Sequence, residues 1–203
     1  MRLTFLIFAW GAVLAAAPFS HRLHVQMKLE CVTCHSAALT STKMEDNLLP
    51  AREVCARCHQ GMAVPGPPTT RVAKFNHSLH LRMGNVAPLI AGVIDRGKYL
   101  QPAGDIRRHL TAGGNACTAC HRGMVESEQV AKVNLPQMAD CLVCHVKIEN
   151  PYSCEQCHGK GADLRPPSHV AGWVDLHSNR ARVPDKTTCA VCHGREFTCM
   201  GCH

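Results

Sequence analysis

The strongest constraint on this chain is a five-residue motif, C-x-x-C-H, which occurs seven times in 203 residues. All fourteen cysteines belong to these motifs, which we number one to seven in chain order. The motif attaches c-type haem: both thiols bond to porphyrin vinyl groups, and the adjacent imidazole binds the iron. We therefore expect seven covalently attached haem c groups. The expected thioether residues are Cys31, Cys34, Cys55, Cys58, Cys117, Cys120, Cys141, Cys144, Cys154, Cys157, Cys189, Cys192, Cys199 and Cys202. The expected proximal iron ligands are His35, His59, His121, His145, His158, His193 and His203.

Zinc and disulfide bonds are the two alternatives for paired cysteines. Neither requires a histidine after every pair. At this chain's histidine frequency, seven chance matches have odds of roughly one in 10⁸, so the histidine belongs to the motif. The pattern favours haem over both alternatives.

Seven further histidines match the number of distal ligands that seven haems need. Methionine is the other common distal ligand. The candidate methionines are Met27, Met44, Met62, Met83, Met124, Met138 and Met200, and their spacing shows no repeat, which favours packing against haem faces. The candidate distal histidines are His21, His24, His77, His80, His109, His169 and His177.

The N-terminus predicts export, which covalent haem attachment requires. Residues 1–17 combine a basic start, an apolar run and small residues, as a secretory signal peptide does. The cleavage position stays open between Ala15, Ala16 and Ala17. An uncleaved anchor is the alternative, although the run is shorter than the ~20 residues of a spanning helix. We expect a periplasmic protein, with the cell surface or extracellular space as alternatives.

The composition predicts a fold built around the haems. Only nine residues are aromatic, whereas glycine and proline together number 27, so side chains alone make a thin core. We expect a mostly irregular chain with short α-helices and little or no strand, wrapped around a haem core. The net charge of +7 would be about cancelled by seven oxidised haems, each adding roughly one negative charge, so nucleic-acid binding is not expected.

An internal repeat carries a family resemblance. Residues 19–24 (FSHRLH) and 75–80 (FNHSLH) share the pattern F-x-H-x-x-H. In these two segments the chain resembles the cytochrome c3/c7 group of small multihaem cytochromes. The resemblance implies that His21 binds the iron of His35 and His24 binds another iron, with His77 and His80 acting likewise.

The motif positions divide the chain into units after the signal peptide. We expect a two-haem unit over 18–62, a proline-rich joint over 63–74, and a three-haem unit over 75–158. Residues 81–116 form an insertion in the second unit, with a helix covering haem faces and delivering His109. A C-terminal two-haem unit over 159–203 holds Trp173, expected to pack on a haem or to fill the core.

These features predict electron transfer between redox partners, through bis-histidine haems and without a catalytic site. The expected partners are other cytochromes, quinol-linked reductases or terminal reductases, and any membrane association runs through them. A subunit of an extracellular conduit or filament is the alternative. A multihaem reductase would need an iron with an open axial position, which seven distal candidates argue against. The sequence leaves the oligomeric state open.

Intact mass spectrometry checks the haem count. The mature protein should exceed its polypeptide mass by seven haems, because seven complete motifs are present. An excess of six haems or fewer in fully matured protein would contradict this count.

Overall fold

The computed structural model describes residues 19–60, 72–112, 114–145, 154–166, 169–173, 175 and 186–193. The expected signal peptide, residues 63–71 of the proline-rich joint and motif seven lie outside these residues, as does His177.

Short helices and irregular segments make up the described chain, as expected. The α-helices are α1 (His21–Gln26), α2 (Cys31–Cys34), α3 (Arg52–Ala56), α4 (His77–Arg82), α5 (Ala87–Asp95), α6 (Ile106–Ala112), α7 (Met138–His145) and α8 (Lys186–His193). Single 3₁₀ turns cover Ser36–Leu39, Met124–Glu126, Lys132–Asn134 and Cys154–Gln156. No strand occurs among the described residues; Val72 and His158 form one isolated antiparallel bridge.

Helices α1 and α4 begin in the same way because their sequences repeat. The side chain of Ser20 accepts a hydrogen bond from the backbone N–H of Leu23 at 3.2 Å. The side chain of Asn76 does the same for Leu79 at 2.8 Å. Such caps satisfy N–H groups that a helix leaves unpaired in its first turn. Each repeat therefore presents two histidines on one short helix.

The apolar core forms where the expected insertion packs against later helices. Helix α5 packs against α6 and α7, and α7 packs against α8. The helix predicted in the insertion forms as α5, whereas His109 lies on a separate helix, α6. The core is built mostly from small side chains, and no large side chain of the described residues is fully buried. Its buried members are Ala87, Ile90, Ala91, Tyr99, Leu100, Leu110, Ala119, Ala139, Leu142, Ala190 and Val191.

Helices α1 and α4 bury no residue of their own. They carry exposed apolar side chains beside their histidines, including Leu23 and Val25 on α1 and Leu79 on α4. A six-residue helix is far below the ~12–15 residues needed for stability in water. These helices therefore depend on whatever covers those apolar faces.

No helix within the described ranges has the length and apolar character to cross a membrane.

A chain made without covalent haem should be largely unfolded. Its helices are too short and its core too thin to offset the conformational entropy lost on folding. Far-ultraviolet circular dichroism of leaderless, haem-free protein, compared with the mature protein, checks this. Equal helical signals from both forms would show that the polypeptide folds without haem.

Candidate haem sites

Each described motif forms one helical turn that gathers its three functional side chains. The N–H of His35 donates to the carbonyl of Cys31 at 2.9 Å, and the N–H of His59 donates to that of Cys55 at 2.8 Å. The corresponding bond of His121 to Cys117 is 2.8 Å. This turn places both cysteines and the histidine on one side of the backbone, as attachment at two vinyl groups and the iron requires.

Four of the predicted distal histidines face a proximal histidine across a constant gap. The ring centres are 6.4 Å apart for His21 and His35, and 6.0 Å apart for His24 and His59. They are 6.2 Å apart for His80 and His145 and 6.3 Å apart for His169 and His193.

This gap fits an iron between the two rings. Two metal–nitrogen bonds of about 2 Å, plus about 1.1 Å from each nitrogen to its ring centre, separate axial imidazoles by about 6.2 Å. Rings in direct van der Waals stacking would lie closer. The residues present therefore fit bis-histidine haem, although which histidine binds which iron stays a prediction.

Hydrogen bonds to Nδ1 orient several of these rings. The Nδ1 of His24 contacts the carbonyl of Ser20 at 2.7 Å, and that of His80 contacts the carbonyl of Asn76 at 2.8 Å. The Nδ1 of His35 contacts the carbonyl of Leu48 at 2.8 Å. A carbonyl can only accept, so Nδ1 carries the proton and Nε2 keeps the lone pair that binds a metal.

Each F-x-H-x-x-H phenylalanine packs on both histidines of its repeat. Phe19 stacks on His24 with ring centres 4.4 Å apart, and meets His21 edge-on at 4.9 Å. Phe75 stacks on His80 at 4.4 Å, and meets the other histidine of α4 edge-on at 4.6 Å. The phenylalanine thus holds two imidazoles at a fixed relative angle, which explains why it belongs to the repeated pattern.

Burial keeps two other distal candidates neutral. It lowers the pKa of both His21 and His77, helped by the charge of neighbouring histidines. The largest charge effect on the pKa of His77 comes from His121, whose own pKa is lowered by burial. The Nδ1 atoms of His21 and His77 are buried without a hydrogen-bond partner. Neutral imidazole is the form that binds iron.

The remaining candidates have other surroundings. The Nδ1 of His109, on α6, lies 3.5 Å from a carboxylate oxygen of Glu126. Its ring lies against Gly123, whose φ of 63° is in the left-handed region and where a Cβ would be 3.4 Å from His109 Cε1. Trp173 stacks on His169 with ring centres 5.3 Å apart, so its packing partner is a predicted ligand.

We call α1 with motifs one and two the first half, and α4 with motifs three and four the second half. The two halves cross over at their repeated helices. Helix α1 packs on the turn Met124–Glu126 after motif three, where Arg22 N donates to the Ser127 carbonyl at 3.0 Å and the Arg22 side chain pairs with Glu128. Helix α4 packs on the turn Ser36–Leu39 after motif one. The expected first and second units are therefore packed together.

The motif thiols mark the centre of this crossing. The side chains of Cys31 and Cys117 interact, which lowers the pKa of the Cys31 thiol and raises that of the Cys117 thiol. On either side, Cys34 interacts electrostatically with Cys55, and Cys120 with Cys144. Motifs two, one, three and four thus follow one another in space.

The later motifs continue this series. The thiol of Cys141 interacts electrostatically with Cys157, and that of Cys192 interacts with Cys154. Motif five therefore lies between motifs four and six. Among the described residues, no group of three or more His, Cys, Asp and Glu side chains is arranged to hold a metal ion by itself.

Sequence reasoning missed a buried polar group beside motif three. Arg122 and Asp140 form an ion pair with 2.6 Å between Nη1 and Oδ1. The Tyr99 hydroxyl donates to the same carboxylate oxygen at 2.7 Å. Asn134 Nδ2 donates to the Arg122 carbonyl at 2.9 Å. Only the position of Arg122 directly after a motif hinted at a role.

The motifs and the paired histidines define a multihaem c-type cytochrome, with covalently bound haem c and an electron-transfer role. The chain belongs to the family described as outer membrane cytochrome MtrC/MtrF-like, domains II/IV, whose model matches residues 22–203. Searches of curated proteins and of solved structures found no match.

Replacing His24 tests one ligand pair. His24→Ala should turn one haem high-spin, because His59 would then be its only axial ligand. Met27→Ala, at the residue that caps the C-terminus of the same helix and is 60% exposed, is the matched control and should leave every haem low-spin. Electron paramagnetic resonance of both variants measures the spin state of their haems. If the methionine variant alone becomes high-spin, the histidine assignment is wrong.

Proposed function

We propose that this chain is a seven-haem electron carrier without a substrate site. When bound, each haem c supplies a one-electron Fe(III)/Fe(II) couple. The observation that carries the proposal is the constant gap of 6.0–6.4 Å in four histidine pairs. A second imidazole closes the sixth position of an iron, which a reductase must keep open.

The pairs support a rule for the ligands. Helix α1 presents its two histidines to motifs one and two, and α4 presents His80 to motif four. Because α1 presents its two histidines to two successive motifs, we assign the other histidine of α4, His77, to motif three, whose His121 acts electrostatically on it. Each repeated helix then serves two motifs, as the c3/c7 resemblance implies. His169 serves motif six, which leaves His109 and His177 for motifs five and seven.

The interactions between cysteines of different motifs support an order of haems in space, which follows motifs two, one, three, four, five and six. This order differs from the order in sequence only at the start, where the α1 and α4 segments cross. It places motif two at one end, where Cys58 and His59 are exposed. An exposed end is where a redox partner could approach most closely.

Family membership favours a role within a conduit at the cell surface over a free periplasmic shuttle. The family's description names outer membrane cytochromes, and an exported protein fits that description. Other cytochromes are the partners we propose. Size and shape in solution, measured with and without candidate partner cytochromes, distinguish a docked subunit from a shuttle.

Carbon monoxide binding to the reduced protein tests the carrier proposal. We expect little binding and only low-spin ferric signals before reduction, because two histidines would hold each iron and leave no position for carbon monoxide. Optical titration should show a broad redox transition at low potential, since histidine holds iron at lower potential than methionine and neighbouring haems repel added charge. A wild-type haem that is high-spin and binds carbon monoxide would favour a reductase instead.

A further inference from the structure

Arg122 and Asp140 are the two charged residues buried within the described part of the chain. Their side chains are 2% and 3% exposed, respectively. Asp140 is well supplied with donors: Tyr99 and Arg122 meet Oδ1, and the N–H of Gln137 donates to Oδ2 at 2.7 Å. Arg122 lacks matching acceptors, because neither Nη1 nor Nη2 has a hydrogen bond of normal geometry.

The pair lies at the junction of motifs three and four. Arg122 directly follows the proximal histidine of motif three, and Asp140 directly precedes Cys141 of motif four. Both charges act on the thiol of Cys120, which also interacts with Cys144. Asn134 fixes the backbone here, since its carbonyl meets Nδ1 of His121 at 3.3 Å while its side chain holds the Arg122 carbonyl.

The corresponding junction in the other half carries no such pair. The residue after the histidine of motif one is Ser36, and the residue before the first cysteine of motif two is Val54. At this junction the charged side chain that acts on the thiol of Cys34 is Arg57, which is exposed to solvent. The two halves share caps, phenylalanines and histidine pairs, yet differ in buried charge.

Packing does not explain this difference. A buried ion pair costs so much desolvation that apolar residues of similar volume are often as stable or more stable. Its electrostatic effect is large, however, because water does not screen it as it screens a surface pair. Buried charge beside a haem is also one of the means by which a protein adjusts iron potentials.

We propose that Arg122 and Asp140 make the reduction potentials of the haems at motifs three and four differ from those of the haems at motifs one and two. The inference rests on the proposed electron-carrier function. The negative charge of Asp140 favours Fe(III), and the positive charge of Arg122 favours Fe(II). The pair thereby makes the two halves of a repeated array energetically unequal.

Single substitutions should shift potentials in opposite directions. Asp140→Asn removes a negative charge and should raise the Fe(II)/Fe(III) ratio of the adjacent haems about tenfold at a fixed applied potential, or 59 mV for one electron. Arg122→Gln should lower that ratio by a similar factor. Haem-methyl NMR during a redox titration of the mature protein assigns each shift to its haem.

An exposed pair of the same type supplies the matched control. Arg107 Nε and Asp95 Oδ1 are 2.7 Å apart between α6 and α5, with side chains 38% and 53% exposed. Arg107→Gln and Asp95→Asn should leave every haem within error of the wild type, because solvent screens these charges.

A purely structural pair would behave differently. Asp140→Asn and Arg122→Gln would then lower the melting temperature while every haem titrated as in the wild type, and that outcome overturns the inference. Shifts of one sign in both variants overturn it as well. If neither single variant folds, the neutral double variant Arg122→Gln/Asp140→Asn decides: the difference between the two halves should shrink, and an unchanged difference refutes the inference.

Failure of this inference is separable from failure of the proposed function. Full haem content and low-spin spectra with unshifted potentials would reject only the role of the ion pair. Missing haems or a high-spin wild type would reject the carrier proposal, whatever the variants show.

Discussion

The gap between two facing imidazoles is the constraint on which the rest of this structure depends. Four histidine pairs keep their ring centres 6.0–6.4 Å apart although their ring planes meet at angles from 6° to 53°. The distance is thus conserved across different local geometries, as coordination to a common atom would require. On α1 and α4, helix caps, phenylalanine stacking and the Nδ1 hydrogen bonds of His24 and His80 position the rings, because these short helices bury no residue of their own.

Duplication explains how so small a chain arranges so many sites. The same six-residue pattern forms α1 and α4, and each helix packs on the turn after the first motif of the other half. The contact between Cys31 and Cys117 lies where the halves meet. Sites in one half therefore lie directly beside sites in the other, which keeps the attachment points in one continuous series.

Charge distinguishes the halves that the duplication makes alike. The ion pairs Arg107–Asp95 and Arg108–Asp105 are exposed to water, and each contributes little to stability. The Arg122–Asp140 pair is buried, and its environment is completed by Tyr99 from the insertion before motif three. The insertion thus does more than supply apolar cover for this region: it brings a hydroxyl to a carboxylate that would otherwise be costly to bury.

Much of this protein was determined by sequence alone. The motif spacing defined the covalent sites, because two thiols and an imidazole need only one helical turn to come together. Low aromatic content and many glycines and prolines predicted short helices with irregular connections. The F-x-H-x-x-H repeat predicted paired candidate ligands. Tertiary structure alone decided which motifs are neighbours, and it alone buried Arg122 against Asp140, because those contacts join residues far apart in the chain and no local pattern encodes them.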